Sequence, residues 1–264
     1  MELFSIGRVF SRAFGLIRDT LPSVGLFTLI LIGIEAVLGM VLQPMMLESM
    51  RGYEVGAVSG LAMFSSAFYW FSVVFTLLAL GLGWAGGIHG LLTHARKGSS
   101  DLATCFQAGF AWFLPTLGLI ILWWLGVAVG WMFIIIPALI LMSMWAVAVP
   151  AMIGEGIGVF DSFGRSRFLT RGHRLSIFGV LFLLAIAYYV LAFMIAGTAL
   201  GGAFLSGRFD LQEIGQMGMA MLLISIPVSW ASGMLIKAMV VSLYLETVLV
   251  KEGVRTDDLT EVFD

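Results

Sequence analysis

Charge is what this sequence has least of. Of its 264 residues only 11% are Asp, Glu, Lys or Arg, against 60% apolar, and the mean hydropathy is +1.04. A soluble domain carries roughly a quarter of its residues as charges, so the balance excludes that class and implies an integral membrane protein. The single cysteine, Cys105, excludes an internal disulfide and a thiolate metal site, which leaves it a packing role. Histidine is almost as scarce: His89 and His94 lie off one helical face and lack a carboxylate or cysteine at ligand spacing, so neither metal nor cofactor is expected. No Ser-His-Asp or paired-carboxylate arrangement is visible, and the loops are too short to build a soluble active site. No catalytic residue is assigned, and the expected protein is not an enzyme. The net charge of −2 is spread over the ends of apolar runs, which gives nucleic acid no surface to bind.

What is present is a series of apolar runs long enough to cross a bilayer. The fold class expected is all-α, a polytopic bundle of six transmembrane helices. Leu21 to Gln43 reads as the first crossing, about 34 Å of helix, which is enough for the hydrocarbon layer. The second lies within Leu61 to Leu92, with small residues from Gly81 to Gly90 that let backbones approach closely. Leu114 to Ile153 is uncharged and long enough for two crossings, with the turn expected near Gly126 to Gly130, Trp123, Trp124 and Trp131 at the outer interface, and a kink at Pro137. Ser176 to Leu200 and Gly215 to Val250 complete the six.

Basic residues set the orientation. With six crossings, Arg8, Arg12, Arg18, Arg96, Lys97, Arg165, Arg167, Arg171, Arg174, Lys251 and Arg255 fall on one side and only Arg51 and Arg208 on the other, so the crowded side is cytoplasmic. Both termini are then cytoplasmic, and the expected location is a bacterial inner membrane. The first twenty residues lack an unbroken apolar core and a small-residue cleavage site, so they do not read as a signal peptide. Leu3, Ile6, Phe10, Ala13, Phe14 and Ile17 instead share one helical face, as in a helix lying in the membrane interface.

Pro150 to Arg174 is the most informative stretch. Taken as a helix from about Gly158 to Gly172, it places Arg167, Arg171 and Arg174 on one stripe, beside Phe160 and Phe163. With Arg165 and His173 these basic groups form the candidate site for anionic lipid headgroups at the cytoplasmic face, or for a protein partner; orientation signal and local ion pairs with Glu155 or Asp161 form the simpler reading. Interfacial stretches of this kind precede each pair of crossings. Phe10-x-x-x-Phe14 is echoed by Phe106-x-x-x-Phe110, and Asp101-Leu102-x-x-x-Phe106 by Asp258-Leu259-x-x-x-Phe263. The spelling suggests a single membrane domain of three helical-hairpin units, residues 1–97, 98–157 and 158–264.

The run Trp145 to Arg174, with the chain's closing segment, resembles the membrane domain of bacterial glycerophosphoryl diester phosphodiesterases and related stand-alone inner-membrane proteins. The positions that carry the resemblance are Pro150, Glu155, Arg165, Ser166, Leu169, Thr170, Gly172, Arg174, Tyr244, Glu246, Lys251, Glu252 and Gly253. The resemblance implies a six-helix membrane domain. It does not imply the hydrolase activity, because no part of this chain matches the roughly 250 residues of a catalytic barrel. Val248 and Val250 stand where the pattern usually has arginines.

Two charges lie inside apolar runs, Glu35 in the first crossing and Lys237 in the sixth. A charge at mid-bilayer costs about 3 kcal/mol on insertion scales, so each is expected to face the bundle interior, either paired with the other or lining a polar pathway. The basic inner belt and the amphipathic helices make the leading expectation a lipid-binding or membrane-homeostasis protein that organises or assists transport. The alternative is a small transporter or channel built on Glu35 and Lys237.

Overall fold

The computed structural model describes residues 4–49, 67–133, 135–206 and 211–253. Every regular element among them is helical, as expected: α1 (Ile6–Thr20), α2 (Leu26–Ser49), α3 (Ala67–Lys97), α4 (Leu102–Ala111), α5 (Phe113–Phe133), α6 (Ile135–Met144), α7 (Ala148–Glu155), α8 (Val159–Thr170), α9 (Arg174–Ser206) and α10 (Leu211–Glu252). Five stretches are long and apolar enough to cross a membrane, and six if α8 and α9, bent by 105° at their junction, count as one. This is the architecture of a multi-pass membrane protein. α2 continues to Ser49, past the expected end of the first crossing at Gln43, and Arg51, Arg208, Arg255 and the echo at Asp258, Leu259 and Phe263 lie outside the described residues.

The chain enters α1 through Ser5, whose hydroxyl accepts from the Arg8 N–H. Val9, Ala13, Leu16 and Thr20 recur at helical spacing and are buried, whereas Ile6 and Phe14 point outward. No non-helical break follows. Pro22 cannot donate to the Arg18 carbonyl, and the chain crosses it in a π-helical turn, Leu21–Gly25, that leads straight into α2. The Gly25 carbonyl takes a 2.8 Å hydrogen bond from the Trp230 indole, tying the turn to α10.

The glycines of α3 form its inner seam. Side chains on Gly86 would strike the Cys105 carbonyl and the Phe27 ring, and on Gly90 the Cys105 sulfur and Val24, each of those last two at 2.6 Å. Backbones thus meet where α4 crosses α3, as small residues permit. Cys105 is fully buried there, and burial pushes its thiol pKa up to about 11.

The hairpin after α4 differs from the sequence expectation. The first helix continues through Gly126 to Gly130 as far as Phe133, because both glycines serve close packing: Gly130 faces the Ala138 backbone and Gly126 the Trp145 ring. Trp123 and Trp124 consequently lie in the middle of α5, and of the three only Trp131 is near its end. Pro137 does not kink a crossing either. It is the third residue of α6, where a missing N–H costs no helical hydrogen bond. The interruption falls at Trp145–Val147, ahead of Pro150, which cannot donate to the Ala146 carbonyl. α6 and α7 still form one candidate span, Ile136–Glu155.

Candidate basic corner and buried charge network

Three clusters of polar residues are built on this frame. The first joins the two ends of the chain. Glu246 on α10 is fully buried, yet it accepts from the Ser5 N–H at 3.0 Å and from Arg8 at 2.7 Å (Nη2) and 3.0 Å (Nε). Arg12 adds a second guanidinium at 3.7 Å. A carboxylate cannot be buried without such partners, so Glu246 is where α1 docks.

The second cluster closes over α7 and α8. Gly156, at φ +67°, ends α7, and Gly158 caps α8. Glu155 there accepts from Arg165 at 2.8 Å and from the Tyr244 hydroxyl at 2.9 Å, while Arg165 also reaches Glu252 at 2.6 Å and lies over the Phe168 ring. Arg96 donates to the Gly154 carbonyl at 2.9 Å. Ser166 and Thr170 donate to the Met144 carbonyl at 2.8 and 3.3 Å. That carbonyl is orphaned by the helix break, because the Ala148 N–H turns to Trp145 instead. Of the motif positions, Ser166 satisfies the carbonyl left by the break ahead of Pro150, while Glu155 and Tyr244 bond one another at the far end of α7 and tie it to α10.

The third cluster is a corner. α8 ends at Thr170, earlier than expected; Arg171 is extended and Gly172 takes φ +95°, a left-handed value that favours glycine. The stripe of Arg167, Arg171 and Arg174 along one helix is therefore not formed, since Arg174 begins α9 across the bend. Arg165 is also withdrawn from the candidate site by its two carboxylates. Arg167 is exposed on α8. Arg171, His173 and Arg174 do converge, around a surface pocket of about 260 Å³ shared with Gly172, Leu175 and Ser176. His173 stacks on Phe4 with ring centres 5.3 Å apart, and Arg174 Nε is buried with no hydrogen-bond partner. Among the described residues no carboxylate lies within ion-pair distance of these three.

Glu35 and Lys237 line one cavity of about 160 Å³ with Thr28, Thr76 and Trp84, but no ion pair within 4 Å joins them. Thr76 donates to Glu35 instead, at 3.2 Å. Among the described residues no group of His, Cys, Asp and Glu is placed to hold a metal ion. His94 lies 4.0 Å from Asp19, and His89 3.4 Å from the Thr93 hydroxyl.

The pairing of Arg8 and Arg12 with Glu246 escaped sequence reasoning. Its signal was a lone carboxylate, Glu246, within the apolar run after Lys237, together with arginines on an amphipathic helix far away in the chain. Comparison with protein families, with curated proteins and with solved structures finds no match to this chain.

Proposed function

We propose that this chain is a non-enzymatic protein of the bacterial inner membrane, crossing it six times with both termini in the cytoplasm, that binds anionic lipid headgroups and serves membrane homeostasis or assists transport. The observation that carries the reading is the corner of Arg171, His173 and Arg174, three basic groups around one pocket with no carboxylate among the described residues within ion-pair distance. Guanidinium groups at such a corner suit phosphate, which they contact through two parallel N–H donors. The excess of Lys and Arg on one side supports the orientation, and the resemblance to the membrane domain of glycerophosphoryl diester phosphodiesterases belongs to the same reading.

Native mass spectrometry of the full chain from mixed phosphatidylglycerol and phosphatidylcholine nanodiscs tests it. The expected result is retention of phosphatidylglycerol that is lost in the Arg171→Gln, Arg174→Gln double variant. Equal retention of both lipids by the unmodified chain would refute lipid selectivity. Arg165 is unsuitable for this test, because its guanidinium holds Glu155 and Glu252.

A second reading, a small transporter or channel, is favoured by the cavity that reaches both Glu35 and Lys237. Alanine substitution at either residue would then abolish a solute flux measured in proteoliposomes.

A further inference from the structure

Lys237 is the least reconciled charge among the described residues. It is 6% exposed, and no carboxylate or hydrogen-bond acceptor among those residues meets its ammonium. Gly87 of α3 makes room for it: a side chain there would come within 2.8 Å of Lys237 Cδ and 3.7 Å of Nζ. The head lines the cavity between α2 and α3, whose walls are Leu31, Ile32, Ala79, Leu80 and Trp84. Lys237 stands fifteen residues before the end of α10 at Glu252, about 22 Å along the axis at helical rise, so the cavity lies deep within the candidate span.

Glu35 lines the same cavity and carries the opposite charge, yet it takes its hydrogen bond from Thr76 rather than from Lys237. Thr76 is exposed on α3, so this end is the mouth and Lys237 the floor. The exposed residues that neighbour Glu35 along α2 and Thr76 along α3 are Ile34, Val37, Val74, Leu77 and Leu78, all aliphatic. A mouth rimmed by exposed aliphatic side chains opens toward hydrocarbon, so what enters it arrives from the bilayer.

A ligand with one charge would compensate only one of these two groups and leave the other desolvated. A ligand carrying both signs a few bonds apart compensates both. The volume, about 160 Å³, admits a small headgroup and not acyl chains. We propose that the cleft between α2 and α3 binds a phospholipid with a zwitterionic, primary-ammonium headgroup, its phosphate on Lys237 and its ammonium on Glu35. Phosphatidylethanolamine has this chemistry. Its phosphate would turn at Lys237 with both of its esters leading back toward the mouth, one to the ethanolamine and the other to the glycerol and its acyl chains outside. Phosphatidylcholine offers no N–H to Glu35 and is bulkier, and phosphatidylglycerol offers no cation. The proposal rests on the reading of a lipid-binding protein but not on the basic corner.

Lipid retention by the full chain, measured by native mass spectrometry from nanodiscs with equal parts of the three lipids, is the test. Phosphatidylethanolamine is expected to be retained about tenfold over phosphatidylcholine at this site, as loss of one charge-assisted contact implies. Glu35→Gln, at the partly exposed mouth, and Lys237→Met, on the floor, should each remove that preference. Melting curves of both variants show whether they remain folded, and Glu35→Gln alone suffices if Lys237→Met does not. The Arg171→Gln, Arg174→Gln variant should keep the preference, which separates this site from the corner. Soluble O-phosphoethanolamine should not displace the lipid. Equal retention of the three lipids, a preference that survives Glu35→Gln, or displacement by soluble O-phosphoethanolamine would each overturn the proposal.

Discussion

Arg8 and Glu246 stand 238 positions apart in the chain, yet the guanidinium of one meets the buried carboxylate of the other at 2.7 Å. The contact is asymmetric. Arg8 remains 41% exposed and can be rehydrated, whereas Glu246 is sealed and depends on what α1 brings to it. Removing Arg8 therefore takes the nearest cation from a buried charge and leaves it to Arg12 and the Ser5 N–H, while removing both partners leaves no such charge. Arg8→Met should lower stability by about 2 kcal/mol, discounted for the exposure of the arginine and for the remaining Arg12 and Ser5 donors. The Arg8→Met, Glu246→Met double variant should recover at least half of that loss. Denaturation in mild detergent, run as a double-mutant cycle, checks this; additive losses would show that the two residues do not act together.

Tyr244 and Glu155 give a smaller effect. The phenol donates to a carboxylate that still has Arg165, so Tyr244→Phe removes one hydrogen bond without leaving Glu155 alone. A loss of about 1 kcal/mol is expected in the same denaturation assay. Arg165→Met should cost more than Tyr244→Phe, because it releases both Glu155 and Glu252.

The seam between α3 and α4 is expected to be intolerant of volume. A methyl at Gly86 meets the Cys105 carbonyl, which is backbone and cannot rotate away. Gly86→Ala should cost about 1–3 kcal/mol, the usual range for overpacking. Gly33→Ala on α2, which meets nothing within 4 Å, should stay near wild type. A shift in melting temperature for the first and not the second is the measurement.

Much of this frame was legible in the sequence, and the limits have physical causes. Leu26–Ser49, Ala67–Lys97 and Leu211–Glu252 announce themselves as apolar runs, since a bilayer demands length and hydropathy and little else. The hairpin turn was misplaced because glycine has two uses. Gly126 and Gly130 look like a turn in the sequence, but their missing side chains admit Trp145 and Ala138. Pro137 and Pro150 have the same ambiguity, resolved only by where each helix starts. In the candidate site, the basic residues were visible as a cluster but not as a corner. The 105° bend after Thr170 separates Arg167 from Arg174, and Arg165 spends its charge on Glu155 and Glu252. Glu35 and Lys237 were visible as buried charges, but that they share a cavity without touching depends on the packing of three helices.

Cys105 provides a test by pH. Burial raises its thiol pKa to about 11, so at pH 7 the thiolate fraction is on the order of one in ten thousand, and the group is enclosed as well. Maleimide should leave the folded protein unlabelled at pH 7 over hours. Reaction within the closed site should rise about tenfold per pH unit between pH 8 and pH 10, below the raised pKa, whereas reaction through an opening that exposes the sulfur should level off above about pH 9, as for an ordinary thiol. Intact-mass spectrometry reads the adduct. Rapid labelling of the native protein at pH 7 would mean that α4 does not cover the sulfur.

Gly172 makes the last prediction, because it separates the shape of the basic corner from its charge. At φ +95° it lies where a side chain is disfavoured, although a methyl there would meet no neighbour within 4 Å. Gly172→Ala should therefore cost about 1–2 kcal/mol through backbone strain alone. No arginine is lost. If the pocket between Arg171 and Arg174 depends on this turn, Gly172→Ala should weaken phosphatidylglycerol retention with the charge unchanged, while Gly179→Ala, in helical backbone with nothing nearby, should leave both stability and retention as they are. Native mass spectrometry alongside thermal denaturation distinguishes the cases. Retention that follows charge count and ignores Gly172 would mean the headgroup senses only the local positive potential, with no pocket geometry involved.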